Sequence, residues 1–347
     1  MAASLIHRDR LDGRALYATE DGGLYRAEGF RVFESRNAGR NWHPLFDAPS
    51  PGRRHLLGRS RMATRLLRLE VRGLLPLAEQ HFVVATRSGL FHGSGSDGVL
   101  SPARLDHAGD VAFPTTLATG PKGVVIWGEY SANKERRAMR LFASTDSGVS
   151  YTEVHRFTPG TIRHVHGLLH DPERSAYWVF VGDHGEEPGI GLLSEDFAHF
   201  EWVLKGQQRF RTMGAFDLGD HLVYGTDTEK EGNAIYRLCK ESGRLTKLAD
   251  TDGSCIHSCR VGEGFLLSTS AEPREDDSPQ VASVWHSPDG ESWERVYSRA
   301  KDRWQANLFQ FGSLVLPRGH LPEGTVMFSG QAVEGDDGKL IIAEWKT

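Results

Sequence analysis

Short apolar runs bounded by turn-forming residues recur along the chain, and no amphipathic segment of helical period extends over twelve residues. The runs are rich in β-branched and aromatic side chains, which suit extended strands. Many short strands without long helices predict an all-β fold and argue against a doubly wound α/β sheet. The clearest runs are residues 81–91, 123–130, 176–183, 221–227, 264–270 and 339–345.

Three further stretches share one order of residues: a serine, an Asp or Asn two positions later, then a glycine and an aromatic residue. They span 35–42, 144–151 and 287–293. The Asp or Asn side chain can cap N–H groups of a tight turn, and the glycine can supply a positive φ. The aromatic residue then begins the next strand. The stretches therefore predict a repeated hairpin turn.

Degenerate copies extend this series, with successive spacings of 60, 49, 50, 46, 47 and 48 residues between turn centres. A period near 50 residues suits a four-stranded propeller blade. Seven turns predict a seven-bladed β-propeller with four-stranded antiparallel blades, forming a single domain over residues 1–347, in which the first residues pair with the last blade. The turn centres are Asn37, Asp97, Asp146, Asp196, Ser242, Asp289 and Asp337.

The repeated stretches resemble the Asp-box, or BNR repeat, of the sialidase-like β-propeller superfamily. The resemblance implies that the turns face away from the active site, and that the active face carries the starts of the innermost strands and the loops after the second strands. The Arg-Ile-Pro tripeptide of strict sialidases does not occur. On this scheme innermost strands begin near 64–65, 113–114, 163–166, 209–211, 255–257 and 304–307.

The segment around His164 and His166 is the strongest candidate site. Residues two apart on a strand point to the same side, so the two imidazoles are expected to face the same way. Asp183 follows the neighbouring strand. Such a cluster can transfer protons as catalytic groups, and a divalent metal at His164 and His166 is a second interpretation. Hydrogen-bonded residues at the mouth of a channel remain the structural alternative.

Arg209 and Arg211 repeat the two-residue spacing, and Asp227 is expected near them as a further catalytic carboxylate. Guanidinium groups bind carboxylates through paired hydrogen bonds, so the pair indicates an anionic substrate. An Arg–Asp ion pair that only joins blades is the alternative. Further substrate-binding candidates on the same predicted face are His184, His257, Glu129, Tyr130, Trp304 and Arg318.

Two other sequence patterns are weaker indications of a functional site. Cys255, His257 and Cys259 alternate along one strand, which is unlike the tight turns of most zinc sites and favours core cysteines. Residues 53–72 contain seven arginines against Glu70. This stretch fits either an insertion exposed to solvent or a surface that holds an acidic polymer.

Composition narrows the choice of partners. The net charge of −5 disfavours nucleic-acid binding. No apolar stretch of membrane-spanning length occurs, and residues 1–14 have no apolar core of a secretory signal. Three cysteines do not make a disulfide framework, so a cytoplasmic location is expected.

Two functions of different classes follow. The first is a carbohydrate-active enzyme that cleaves an acidic oligosaccharide or polysaccharide, as a glycoside hydrolase or a polysaccharide lyase. Glu20, Asp21, Glu129, Asp183 and Asp227 offer carboxylates for the former, and the His and Arg pairs suit the latter. The second is a non-catalytic propeller that acts in binding or assembly. The mixture of His, Arg, Asp and Glu with aromatic rings favours the enzyme.

Overall fold

The computed structural model describes residues 5–50, 52, 57–58, 60–107, 111–114, 116–228, 231–272 and 280–345. Strands make up 52% of the chain and helices 7%, so the all-β prediction is confirmed. Within the described ranges, no helix is long and apolar enough to cross a membrane.

The strands are short and follow one another closely along the chain. They are β1 (Leu5–Asp12), β2 (Arg14–Ala18), β3 (Leu24–Glu28), β4 (Arg31–Ser35), β5 (His43–Asp47), β6 (Gly73–Pro76), β7 (His81–Thr86), β8 (Gly89–Ser94), β9 (Val99–Pro102), β10 (Arg104–Asp106), β11 (Ala118–Thr119), β12 (Val125–Gly128), β13 (Met139–Ser144), β14 (Ser150–Phe157), β15 (Val165–Asp171), β16 (Ala176–Val181), β17 (Gly189–Ser194), β18 (Phe200–Lys205), β19 (Phe216–Asp217), β20 (His221–Gly225), β21 (Ala234–Cys239), β22 (Leu245–Asp250), β23 (Cys255–Val261), β24 (Gly264–Ala271), β25 (Val281–Ser287), β26 (Glu294–Ala300), β27 (Gly312–Val315), β28 (Arg318–Leu321), β29 (Thr325–Gln331) and β30 (Lys339–Trp345).

The chain groups into two compact units, and the expectation that it forms a single domain stays a prediction. The first unit comprises residues 1–71, 232–235 and 247–347, and the second comprises residues 72–231 and 236–246. In the first unit, β1 pairs antiparallel with β30, as expected for the two ends of the chain. Fully buried Leu24, Leu266, Phe328 and Ile341 belong to its core.

The second unit is built mainly from small sheets. Their strand orders are β6-β7-β8-β9, β10-β14-β13-β12-β11, β15-β16-β17-β18 and β19-β20-β21-β22, the last of which belongs mostly to this unit. Three strand pairs, β10–β14, β2–β28 and β23–β28, are parallel, so the purely antiparallel prediction does not hold everywhere. Arg318 correspondingly lies in a strand, where the scheme placed a loop.

Two side chains accept hydrogen bonds in each repeated turn, and of these only the Asp or Asn cap was predicted. The serine Oγ accepts from the glycine N–H at 3.0 Å in Ser35–Gly39, 2.8 Å in Ser144–Gly148 and 2.8 Å in Ser287–Gly290. These glycines have φ values of 81°, 87° and 78°. Asn37, Asp146 and Asp289 each accept a further backbone N–H, which closes the turn from the side chain.

Two short helices overturn predicted strand starts. Helix α1 (Arg61–Leu67) occupies the expected strand at 64–65, because the Ser60 hydroxyl accepts from the Ala63 N–H and the helix-favouring residues after it continue the turn. Helix α2 (Ala306–Phe309) occupies part of the strand start expected at 304–307, although no side chain caps its first turn. At Gln208–Phe210, a 3₁₀ turn replaces the strand predicted to carry Arg209 and Arg211.

Candidate functional site

A bulge at the start of β15 and a glycine after β16 bring the central residues of the candidate site together. The pairing of β15 with β16 shifts register between Val165 and Gly167, so His166 lies at the bulge. Such bulges redirect side chains and are common beside active sites. The Gly182 N–H donates to the His164 carbonyl at 3.3 Å. Gly182 has a φ of 92°, which glycine adopts without strain and which turns the chain directly into Asp183.

His164, His166 and Asp183 converge on one point. The Nε2 atoms of His164 and His166 lie 3.0 Å apart. Asp183 Oδ1 lies 3.2 Å from the His166 nitrogen and 3.4 Å from the His164 nitrogen. All three side chains are buried, and His166 is only 1% exposed. The predicted convergence of these three residues is therefore present.

The hydrogen bonds define where the ring protons lie. The Nδ1 atom of His164 lies 2.8 Å from the Ser131 carbonyl, which can only accept, so Nδ1 carries a proton. Nδ1 of His166 is buried without a partner among the described residues. Burial lowers the pKa of His166 to about 4, which keeps this ring neutral near pH 7. Its single proton is then on Nε2, from which it can be donated to Asp183 Oδ1 at 3.2 Å.

Two arginines hold the Asp183 carboxylate. Arg163 Nη1 lies 3.2 Å from Oδ2, and Arg211 Nη2 lies 3.1 Å from Oδ1. Burial alone would raise the pKa of Asp183, but hydrogen bonds from the two histidines and the charge of Arg211 hold that pKa far below its usual range. Asp183 is therefore an anion that does not act as an acid. Arg163 was not among the predicted site residues, although it directly precedes His164.

Arg211 also binds the second predicted carboxylate. Its Nη2 atom lies 3.1 Å from Asp227 Oδ2, and the Asp227 N–H donates to the Arg211 carbonyl. The 3₁₀ turn places the two predicted arginines in different surroundings. Arg209 is exposed and packs over the Phe210 ring, whereas Arg211 is buried. Of the pair, Arg211 alone is seen to contact the cluster.

Tyr130, Arg163 and His184 lie around the cluster and are partly exposed. The Tyr130 ring centroid is 4.2 Å from that of His164. Burial, with the negative charges of Asp227 and Asp183, raises the pKa of Tyr130 to about 12. His184 Nε2 lies 2.7 Å from Arg163 Nη1. The cluster therefore combines imidazole, carboxylate, guanidinium and phenol groups.

Glu129, predicted to bind substrate, is fully buried and bonded within the protein. Its oxygens accept from Arg140 Nε at 2.7 Å, from Arg140 Nη2 at 2.8 Å and from Arg137 at 3.2 Å. The backbone N–H groups of Ala112 and Arg140 complete the set at 3.1 Å each. Five internal donors indicate a structural carboxylate.

The remaining predicted residues belong to the first unit. His257 is half-buried on β23, and burial together with the charges of Arg14 and Arg318 lowers its pKa to about 3. Burial lowers the pKa of Arg318 to about 10, although Tyr17 opposes this change. Trp304 is 39% exposed and lies against Phe309. Near pH 7, Arg318 is therefore a cation and His257 is a neutral ring.

The other patterns in the first unit are structural. Cys255 and Cys259 are buried on β23, and burial raises the pKa of the Cys259 thiol to about 12. Arg61 forms two hydrogen bonds to Asp337, at 3.1 and 2.7 Å, and the buried Arg65 pairs with Asp302 at 2.5 Å. These two arginines are internal ion-pair partners. Arg53, Arg54 and Arg59 lie outside the described residues, as do residues 273–279.

The first unit contains a cleft that no sequence pattern predicted. Its volume is about 390 Å³, and its lining includes Arg14, Arg31, Glu70 and Gln331. Arg14 Nη1 binds Gln331 at 2.8 Å and approaches Glu70 at 3.5 Å. Charges of both signs thus pair across this cleft.

No protein-family model matches the sequence, and no curated protein matches it. Solved structures do resemble it. The extracellular domain of the putative one-component system BT4673 from B. thetaiotaomicron has a TM-score of 0.58 at 11% identity, over 98% of this chain and 42% of that one. The GH74 enzyme of Niastella koreensis has a TM-score of 0.52 at 12% identity, over 84% of this chain and 46% of that one.

A chain of the mitotic checkpoint complex has a TM-score of 0.60 at 9% identity, over 97% of this chain and 93% of that one. The chain has a β-propeller fold. It spans less than half the length of the BT4673 and GH74 chains. At these identities the likeness extends to fold alone.

Proposed function

We propose that this chain is a carbohydrate-active enzyme that cleaves an acidic glycan by β-elimination at the His164–His166–Asp183 cluster. The observation that carries the proposal is the convergence of two buried imidazoles and the Arg211 guanidinium beside a phenol. The structural likeness to a GH74 enzyme supports a carbohydrate-active propeller in general terms. The shared hydrogen bonds of the repeated turns, with their period near 50 residues, support a seven-bladed Asp-box propeller as its scaffold.

Hydrolysis fits these residues less well. A glycosidase needs two carboxyl groups, one of them protonated near neutral pH. Asp183 and Asp227 both bind the same Arg211 nitrogen, and the pKa of Asp183 lies far below its usual range. Glu129 is fully bonded to internal donors. None of the three supplies the required acid.

Elimination from a uronic acid needs fewer carboxylates. Positive charge at the substrate carboxylate acidifies the C5 proton, a base removes this proton, the C4–C5 double bond forms, and the C4–O bond breaks as its oxygen takes up a proton. Arg211 supplies positive charge in this proposal. Tyr130, next to His164, takes up the C5 proton as the phenolate and then gives that proton to the leaving oxygen. Because the pKa of its hydroxyl is raised, turnover should increase with pH.

The test is a screen of uronate-containing oligosaccharides that follows both the ultraviolet absorbance of unsaturated products and new reducing ends. We expect both signals together, and a loss of at least about 100-fold in turnover for Tyr130→Phe. His170→Gln is the matched control, because His170 lies further along β15 and pairs with Glu195 at 2.6 Å. New reducing ends without unsaturated product would identify a hydrolase instead.

A non-catalytic binding propeller is the second candidate. The near-complete burial of His166, Asp183 and Arg211 favours it, since buried polar clusters also stabilise folds. One of the similar structures belongs to a multiprotein complex. This candidate would be supported if wild type and Tyr130→Phe alike formed neither unsaturated product nor new reducing ends from any acidic glycan.

A further inference from the structure

We propose that His164, His166 and Asp183 bind one divalent transition metal ion, with zinc as the best match to their donor atoms. Two imidazole nitrogens and one carboxylate oxygen form a common ligand set of catalytic zinc sites. Among the residues that the structure describes, no other three His, Cys, Asp or Glu side chains come together in this way. Metal binding is independent of the reaction proposed above, whereas the metal's part in elimination rests on that proposal.

The spacing of the ligand atoms fits a coordination sphere. The three atoms lie 3.0, 3.2 and 3.4 Å from one another. Ligands at about 2.0–2.1 Å from a tetrahedral zinc ion are about 3.4 Å apart, and slightly closer in higher coordination. An ion on the common side of these atoms therefore reaches all three at normal bond lengths with little side-chain movement.

The outer contacts also suit a metal site. The His164 Nδ1–H donates to the Ser131 carbonyl, which directs the Nε2 lone pair into the cluster. Arg163 holds the other oxygen of Asp183 and so fixes the carboxylate. Contacts of this kind orient metal ligands and fix the imidazole tautomer. Arg211 shares Oδ1 with the proposed ion, and its charge reduces the affinity below that of an otherwise identical site.

The three atoms can each offer a lone pair to a cation. Two imidazole nitrogens and one carboxylate oxygen face one another, and the Nδ1 proton of His164 is directed away from them to Ser131. A divalent ion can accept a lone pair from all three atoms at once. The His166 proton then lies on Nδ1, which has no partner among the described residues, so the ring stays neutral.

The ion would also complete the proposed reaction centre. Three protein ligands leave at least one coordination position for a substrate oxygen. A uronate carboxylate bound there would be polarised by the metal as well as by Arg211. The cation would also lower the pKa of the neighbouring Tyr130 hydroxyl, which favours its action as a base.

The experiment measures metal directly. The full chain is stripped with a chelator, dialysed against zinc or cobalt(II), and analysed for bound metal by mass spectrometry. We expect one ion per chain, and visible cobalt absorption bands of four- or five-coordinate N/O ligation. His166→Gln and Asp183→Asn should lose at least about 10-fold in affinity, and His170→Gln should bind like wild type.

Wild-type protein that binds neither zinc nor cobalt would overturn the proposal, even if the variants fail to fold. Equal loss of metal in His170→Gln would also overturn it. Activity separates this proposal from the preceding one. A chain that binds one zinc ion but cleaves no uronate retains the metal site and refutes the elimination, and a chain that eliminates equally well without metal refutes the metal's part in it.

Discussion

Two buried carboxylates of the second unit, Glu129 and Asp183, have opposite kinds of neighbour. Glu129 accepts hydrogen bonds from five N–H donors. Asp183 also has two arginines, but its Oδ1 atom lies 3.4 and 3.2 Å from the imidazole nitrogens of His164 and His166, which can act as donors or as acceptors. Burial and ion pairing are shared, so neither distinguishes the two sites.

The difference is in the balance of donors and acceptors. A carboxylate surrounded by donors is satisfied, and it contributes to stability mainly because its removal would leave buried positive charge. A carboxylate that faces other lone pairs is left with capacity for a proton or a cation. We therefore interpret the Glu129 carboxylate as structural, because five donors bind it. We interpret Asp183 as the candidate reactive carboxylate, because groups that can act as acceptors also face it.

The largest expected effect is on stability, at Glu129. Glu129→Gln leaves the buried Arg140 guanidinium without its full counter-charge, so the free energy of unfolding should fall by about 3–5 kcal/mol. Denaturant titration of metal-free protein measures this loss. Asp183→Asn should cost less, about 1–3 kcal/mol, because the new amide can donate to His164 while Arg211 keeps Asp227. Equal losses would remove the distinction between the two carboxylates.

The next effect is a pH dependence at His166. Its folded-state pKa is about 4, whereas an unfolded histidine titrates near 6.5. Between these values the unfolded chain binds more protons, so stability falls as the pH falls through this window, by roughly 3 kcal/mol in all. Denaturant titrations in chelator should show this slope in wild type and a flatter one in His166→Gln. Parallel curves would mean that His166 is not buried as a neutral ring.

The smallest expected change in the free energy of unfolding is at an exposed ion pair. Glu153 pairs with Arg156 at 2.6 Å, and the Arg156 side chain is 55% exposed. Because solvent screens such pairs, Glu153→Gln should change the free energy of unfolding by less than about 1 kcal/mol. The same denaturant titration applies. A loss as large as that of Glu129→Gln would show that ion pairing alone, without burial, accounts for the stability difference.

Local patterns predicted the features that local chemistry controls. The Asp or Asn caps and the positive φ of the glycines in the repeated turns are those expected, whereas the bond from the glycine N–H to the serine Oγ was not predicted. The two-residue spacing of His164 and His166 predicted that both would reach Asp183. The same spacing misled at Arg209 and Arg211, because a 3₁₀ turn replaces the strand. Helix α1 was missed because a seven-residue helix gives too short a periodic signal.

The sequence by itself determined the all-β class, the turn chemistry and the candidate histidines, since each depends on residues a few positions apart. Tertiary structure alone decided which charges meet. It gave Glu129 five internal donors, paired Arg61 and Arg65 with distant acids, and placed Arg211 between Asp183 and Asp227. Hydrogen-bond partners 8 to 276 positions apart in the chain leave no local periodicity, because only packing brings them within 3.2 Å.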